Sequence, residues 1–358
     1  MSDPSNQAGF TLQYLGFKPL WTEHRKEGFA DGRIVLEHKH MYRIYAEDGE
    51  WLGELSGKFR HDAAMRDDYP AVGDWVWLSK LPGEGRAIIH GVYPRISKFS
   101  RKAAGSTMEE QIVAANIDRV FLVMALNQDF HLSRMERYLL IAYESGAQPE
   151  IVLTKKDLCP DLDRHLAEVE AIAFGVPVYA VNSLADDGIE ALEGSIRAGE
   201  TIALLGSSGA GKSTLLNRLY GEARQKTGGV REGDDRGKHT TTHRELVVLP
   251  GGAMIIDTPG MRELQLWEGG DAMSAAFADI GELTARCRFA DCSHGSEPGC
   301  AIRAALADGT LQQERYASFV KLQRELAYAE RRNDAAAARV EKERWKKIHK
   351  QMRERGSR

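Results

Sequence analysis

A chain of 358 residues, 42% of them hydrophobic and 28% charged, has the composition of a folded globular protein and is too long for one ordinary core. Its formal charge of -4 excludes an overall polycation, although Lys and Arg outnumber Glu eight to three between Glu341 and Arg358, a basic end compatible with RNA. No run is long and apolar enough to cross a bilayer and Met1 to Gln7 is polar, so a cytoplasmic protein without a membrane partner is expected.

In chain order, the first part reads as mostly β. Tyr42 to Ala46 and Trp51 to Leu55 are short strands around the turn Glu47-Asp48-Gly49. Val72-Gly73-Asp74-Trp75-Val76-Trp77-Leu78 is a turn leading into a strand, and Ala87 to Val92 is another strand. Such spacing predicts a small barrel or sandwich. Arg95, Lys98, Arg101 and Lys102 form a basic edge where this part ends.

From about Glu109 the pattern changes. Val120 to Leu126 is apolar almost throughout, as a strand buried on both faces of a parallel sheet should be. Helical Met135 to Ser145, strand Pro149 to Thr154, strand Val176 to Val181, helical Ile189 to Arg197 and strand Thr201 to Leu205 follow. Leu246 to Leu249 and Ala253 to Ile256 add two strands. The alternation predicts an α/β layer architecture with a mostly parallel sheet. Gly221 to Arg244, rich in Gly and charge, reads as a mobile loop. Tyr316 to Ala327 has helical spacing, and Asn333 to Arg358 reads as a charged helix or tail.

Gly206-Ser207-Ser208-Gly209-Ala210-Gly211-Lys212-Ser213-Thr214 fits the phosphate-loop pattern G-x-x-x-x-G-K-[ST], with a strand before it and a helix after it. Glycines let backbone N–H groups turn toward phosphates, and the helix start favours anions. Lys212 would reach the β- and γ-phosphates, and the Ser213 hydroxyl would bind Mg²⁺. Asp257-Thr258-Pro259-Gly260 ends the last apolar strand, where Asp257 would stand behind Mg²⁺ and the Gly260 N–H would face the γ-phosphate. Thr154-Lys155-Lys156-Asp157 follows another apolar strand. A carboxylate there can accept the N1–H and N2–H of guanine, an edge that adenine lacks, while the Lys155 stem lies over the base. Val181-Asn182-Ser183 could support the base through backbone groups.

The order is unusual, because Thr154 to Asp157 precedes the phosphate loop and no second T/N-K-x-D occurs downstream. The domain looks like a circularly permuted GTPase. Permutation sends the segment after Gly260 into the cysteine-bearing region, so nucleotide state is expected to move that region. There, Cys287, Cys292, His294 and Cys300 read C-x4-C-x-H-x5-C, a closed tetrahedral donor set for one structural Zn²⁺.

These motifs, together with Val72 to Val76, Pro94-Arg95-Ile96-Ser97, Ala114-Ala115-Asn116-Ile117-Asp118 and Gly237-Lys238-His239-Thr240-Thr241-Thr242, make the chain resemble the ribosome small subunit-dependent GTPase A family, often called RsgA. The resemblance implies an OB-fold barrel (36–108), a permuted GTPase domain (109–278) and a mostly helical zinc-binding domain (279–332); the polar extension (1–35) and the basic tail (333–358) are this chain's departures from it. It implies late maturation of the small ribosomal subunit, contact with its rRNA, and hydrolysis of GTP to GDP stimulated by that subunit. The competing reading is a GTP-switched RNA chaperone in which hydrolysis is incidental. Carried over by residue, Thr154 to Asp157 and Gly206 to Thr214 bind GTP, and Thr241, with Thr240 and Thr242 as alternatives, senses the γ-phosphate and Mg²⁺. The position after D-x-x-G, where many GTPases place a water-orienting Gln, is Met261, so intrinsic turnover is expected to be slow. His239 is the candidate to orient water, beside Lys212 and Thr241. A monomer is expected.

Overall fold

The computed structural model describes residues 10–38, 41–63, 65–102, 110–173, 175–185, 187–221, 244–257, 270–328 and 331. His239, Thr241, Gly260, Met261, most of the Gly221 to Arg244 loop and the tail lie outside these residues, as does the side chain of Asp257. Two compact units are present: Met1–Lys102 with Glu109–Leu264, and Ala103–Met108 with Gln265–Arg358.

The first unit begins with five short strands: β1 (Ala30–His38), β2 (Met41–Ala46), β3 (Gly49–Leu55), β4 (Trp75–Leu81) and β5 (Arg86–Val92). They pair in the order β1-β2-β3-β5-β4, and β4 returns to β1, closing a barrel that leaves none of the five with an open edge. Alternation explains the closure. β2 and β5 place every second residue inward, and Ile34, Tyr42, Ile44, Val76, Leu78 and Ile89 fill the interior. The expected hairpin forms around Glu47 and Asp48, with Ala46 opposite Gly49. Helix α1 (Gly57–Asp62) is capped by Ser56, whose Oγ accepts the Phe59 N–H at 3.1 Å.

The segment before β1 is more than a polar extension. Leu12, Leu15 and Trp21 are buried with Trp75 and Tyr93, and the Trp21 indole N–H donates to the Pro94 carbonyl at 2.7 Å. After the barrel, β6 (Lys98–Lys102) and β7 (Glu110–Ala115) form a separate antiparallel pair.

The second sheet region holds β8 (Arg119–Ala125), β9 (Gln148–Thr154), β10 (Val178–Ala180), β11 (Thr201–Gly206), β12 (Glu245–Val248) and β13 (Met254–Asp257). Their order is β10-β9-β8-β11-β13-β12, parallel except for β12. All seven residues of β8 are buried, as the apolar run predicts. Around the sheet stand α2 (Leu132–Ser145), α3 (Leu162–Ile172), α4 (Ile189–Ser195) and α5 (Lys212–Tyr220). Phe121, Val123, Ile202, Leu215, Leu219 and Ile255 share one core cluster. A single register pair, Leu36 with Glu245, joins β12 to β1 and makes barrel and α/β sheet one eleven-stranded sheet.

The second unit is mostly helical where described, with helices Gly270–Ala276, Ala278–Ala285, Ala301–Asp308 and one over 313–328, and turns over 286–300. Phe277, Ile280, Ile302, Leu322 and Leu326 are buried. Phe277 meets the edge of Phe319 at 5.4 Å between ring centroids and lies under the Arg315 guanidinium at 4.8 Å.

Candidate nucleotide site and metal centre

Parallel strands bring their C-terminal ends to one edge of the sheet, and those ends carry the motifs. β9 ends at Thr154, β11 at Gly206 and β13 at Asp257, with β8 between β9 and β11. The chain runs outward from β8 through β9 to β10, then returns to place β11 on the other side of β8. That reversal opens a crevice where open α/β sheets bind ligands.

The phosphate loop is shaped by close approach. A side chain at Gly206 would meet the Val123 carbonyl oxygen at 2.2 Å, so β11 can lie this near β8 only without a Cβ. Gly209 and Gly211 take φ of +77° and +88°, the left-handed region that lets the loop curl before α5 begins at Lys212. Ala210 is buried, while Ser208, Gly209, Ser213 and Thr214 are exposed. The Lys212 ammonium bonds the carbonyls of Gly206 at 2.6 Å and Ser207 at 2.5 Å, folding back over the loop.

The segment Thr154 to Asp157 meets this loop directly. Buried Thr154 donates from Oγ1 to the Ala210 carbonyl at 2.5 Å. Lys155 sits at φ +56°, a left-handed turn that ends β9 and starts the short 3₁₀ helix Lys156–Leu158. The Lys156 ammonium pairs with Asp187 at 2.8 Å and its N–H bonds the Val181 carbonyl at 3.3 Å. The second contact ties this segment to the Val181-Asn182-Ser183 loop directly, and the first does so through Asp187, whose carbonyl accepts the Asn182 N–H at 2.8 Å. Asp157 is exposed. Among the described residues, Ser183 Oγ is buried without a hydrogen-bond partner, the state of a polar group that a ligand can complete.

One residue at the crevice carries no motif. Asp129, in the loop after β8, accepts a hydrogen bond from Ser207 Oγ and an ion-paired one from Arg134 Nη1 at 2.5 Å. Burial opposes its charge, but the bonds from Ser207 and Arg134, aided by the charge of Lys155, hold its carboxyl below the usual range. Its only sequence signal is position: it follows a fully apolar strand next to the phosphate-loop strand.

In the second unit the four predicted ligands converge. Their donor atoms all lie within 4.8 Å of one another. His294 Nδ1 stands 3.7 Å from Cys287 Sγ and 3.5 Å from Cys300 Sγ. Those separations match the edges of a tetrahedron whose centre binds sulfur at about 2.3 Å and nitrogen at about 2.0 Å. His294 adopts φ +60° and Gly299 φ +76°, the two backward turns that fold a short segment onto one point. The His294 N–H favours the Cys292 thiolate, but burial and the neighbouring thiols of Cys300 and Cys287 outweigh it and push this thiol up to about 11. The cluster can hold a metal ion.

The RsgA GTPase family model matches residues 92–267. An ABC transporter model matches 189–346, a stretch that includes the phosphate loop, a pattern common to many nucleotide-hydrolysing families. The small ribosomal subunit biogenesis GTPase RsgA of Opitutus terrae is 49% identical over 96% of this chain and 98% of its own length. A protein of the same description from Oceanobacillus iheyensis is 48% identical over 92% of this chain and 96% of its own. The crystal structure of YjeQ from Thermotoga maritima superposes with a TM-score of 0.63 at 28% identity, covering 84% of this chain and 99% of that one. YloQ, described as a circularly permuted GTPase, superposes with a TM-score of 0.60 at 25% identity over 85% of this chain and 97% of its own. The chain belongs to the RsgA family of circularly permuted GTPases.

Proposed function

We propose that this protein binds GTP in the crevice between β8 and β11 and hydrolyses it to GDP and phosphate on the small ribosomal subunit, late in that particle's maturation. The observation that carries the reading is the Thr154 to Ala210 hydrogen bond, which couples the guanine-reading segment to the phosphate loop across β8. Asp157 would accept the guanine N1–H and N2–H, and the Gly206 to Thr214 loop would cradle the phosphates. Lys212, now on the loop's own carbonyls, would exchange them for phosphate oxygens. Ser213, Thr241 and, behind them, Asp257 would hold Mg²⁺, which neutralises phosphate charge when bound. Gly260 would face the γ-phosphate, and His239 would orient the attacking water in place of the Gln that Met261 replaces.

Cys287, Cys292, His294 and Cys300 would hold one structural Zn²⁺, since four protein donors leave no open position for a reacting ligand. The subunit's rRNA is the partner of a cytoplasmic monomer in which the barrel, from β1 at Ala30 onward, and the GTPase domain (109–278) share one sheet, followed by the zinc domain (279–332) and the basic tail (333–358). The composition of the relatives' name supports the partner, and no described helix is long and apolar enough to cross a membrane.

The test is GTP hydrolysis with small subunits, with large subunits and with neither, for the natural chain and His239→Ala. Strong stimulation by small subunits alone, lost on substitution, is the expected result. Equal rates in all three conditions would sink the ribosomal reading, and full stimulation of His239→Ala would remove His239 from the chemistry.

A further inference from the structure

The crevice at the β8/β11 reversal has a wall on each side, and the motifs account for only one of them. Ser207, the second residue of the phosphate loop, sits on the β11 side. Its hydroxyl crosses the crevice to Asp129 on the β8 side. Its carbonyl is one of two that hold the Lys212 ammonium. Asp129 thereby grips the residue that places the lysine head, and the Lys155 charge acts on the same carboxylate from the guanine-reading side. The Asp129 loop is itself braced. The Asp129 N–H donates to Asn127 Oδ1 at 3.0 Å, the Phe130 N–H to the Asn127 carbonyl at 2.9 Å, and Arg134 returns from α2 to the other carboxylate oxygen.

A carboxylate beside a phosphate site is unfavourable unless its charge is balanced. Here Arg134 pairs with it and Lys155 lies near, so the group can act as a hydrogen-bond acceptor at small electrostatic cost to a bound anion. With its side chain 29% exposed, Asp129 is also not a core residue whose loss would empty the interior.

We infer that Asp129 is a positioning residue of the nucleotide site: through Ser207 it fixes the start of the phosphate loop and the resting place of Lys212, and so sets guanine nucleotide affinity. This rests on the nucleotide-binding reading above. A flexible loop start must be ordered each time nucleotide binds, and a loop already held by Asp129 avoids that cost. Ground-state and transition-state binding then suffer together when the grip is lost, which raises KM more than it lowers kcat.

The experiment titrates fluorescent GDP and GTP into the full chain and into Asp129→Ala, Asp129→Asn, Ser207→Ala and the Asp129→Ala/Ser207→Ala double variant, with thermal melting as a check of folding. Asp129→Ala should bind both nucleotides about tenfold more weakly, with kcat reduced less than about threefold. Asn keeps an acceptor for Ser207, so Asp129→Asn should recover to within about threefold of the natural chain. The double variant should be no weaker than Asp129→Ala, because both substitutions break one bond. Natural affinity in a folded Asp129→Ala, additive losses in the double variant, or a fall in kcat with unchanged KM would each overturn the inference. Loss of binding in Lys212→Ala with Asp129→Ala unaffected would overturn it while leaving the nucleotide reading intact. Absence of binding by the natural chain would overturn both.

Discussion

At the scale of single residues, position in the site is set by hydrogen bonds that cross between motifs rather than run within them. Thr154 and Ala210 are 56 residues apart in the chain, and one hydroxyl joins them. Thr154→Val keeps the shape and removes the donor, leaving the buried Ala210 carbonyl without that partner. Nucleotide affinity should fall about tenfold, read by titration with fluorescent GDP, and unchanged affinity would mean the contact is incidental. That Thr154 stands near a phosphate loop follows from its motif; that its hydroxyl reaches Ala210 does not, because spacing says which residues belong to a site and not which atoms touch. Asp129 is the stronger case. It lies in no pattern, and only the pairing of β8 with β11 brings it to Ser207. Arg95 corrects the reading of a basic edge in the opposite sense. Its guanidinium is committed to buried Asp74 at 2.7 Å and to the carbonyls of Asp67 and Tyr69, and Lys98 pairs with Glu110.

At the scale of elements, three segments quoted for the family resemblance turn out to be one structural knot. The turn before β4, the segment after β5 and the end of β7 converge. A Cβ on Gly73, at φ +95°, would meet the Ala115 carbonyl at 2.1 Å. Asn116 accepts the Ile96 N–H at 3.0 Å and donates to the Gly73 carbonyl at 3.2 Å. Arg33 of β1 closes the knot from within. It is fully buried and bonds the Leu15 carbonyl at 2.5 Å, Thr201 Oγ1 at 2.7 Å and the carbonyls of Gly73 and Asn116. Burial pulls its pKa down to about 10 against the charges of Asp118 and Asp74, which still leaves it protonated at neutral pH. Arg33→Met should therefore cost about 3 kcal/mol or more of stability, since several buried acceptors lose their donor together. Denaturant unfolding checks this, and Thr201→Val, which deletes one bond, should cost about a third as much. No periodicity could reveal such a knot, because a buried arginine looks like a surface one in sequence.

The metal cluster is the other element whose behaviour follows from its chemistry. Metal binding must displace thiol protons, and Cys292 without metal holds its proton up to about 11. Zinc affinity should thus rise with pH through neutrality and on toward about 11, and a chelator should loosen the Cys287–Cys300 segment, seen as faster proteolysis there. Affinity that is flat with pH would contradict this assignment of the donors. The donor types and spacing were legible from sequence because four ligands lie within one short segment, whose turns at His294 and Gly299 are local.

At the scale of the whole molecule, the α/β alternation and the barrel's alternating pattern predict both layers, and both are present. What the pattern could not supply is the join between them. It rests on one register pair between β12 and β1, on the Arg43–Glu245 ion pair beside it, and on buried Arg33 of β1, which donates to Thr201 Oγ1 of β11. Permutation adds a consequence during synthesis. β8, β9 and β10 leave the ribosome before β11, yet β11 is the neighbour that completes β8. Until it arrives, the nascent chain presents the unpaired edge of a strand whose seven residues are all destined for the interior, a surface prone to wrong pairing. A chain stalled after α4 should accordingly bind chaperones and aggregate on release, whereas one stalled after β13, which covers the far edge of the equally buried β11, should not; equal solubility of the two would mean that β8 is protected some other way. A member of a family named for ribosome biogenesis thus carries, in its own strand order, a dependence on how quickly a ribosome delivers its next strand.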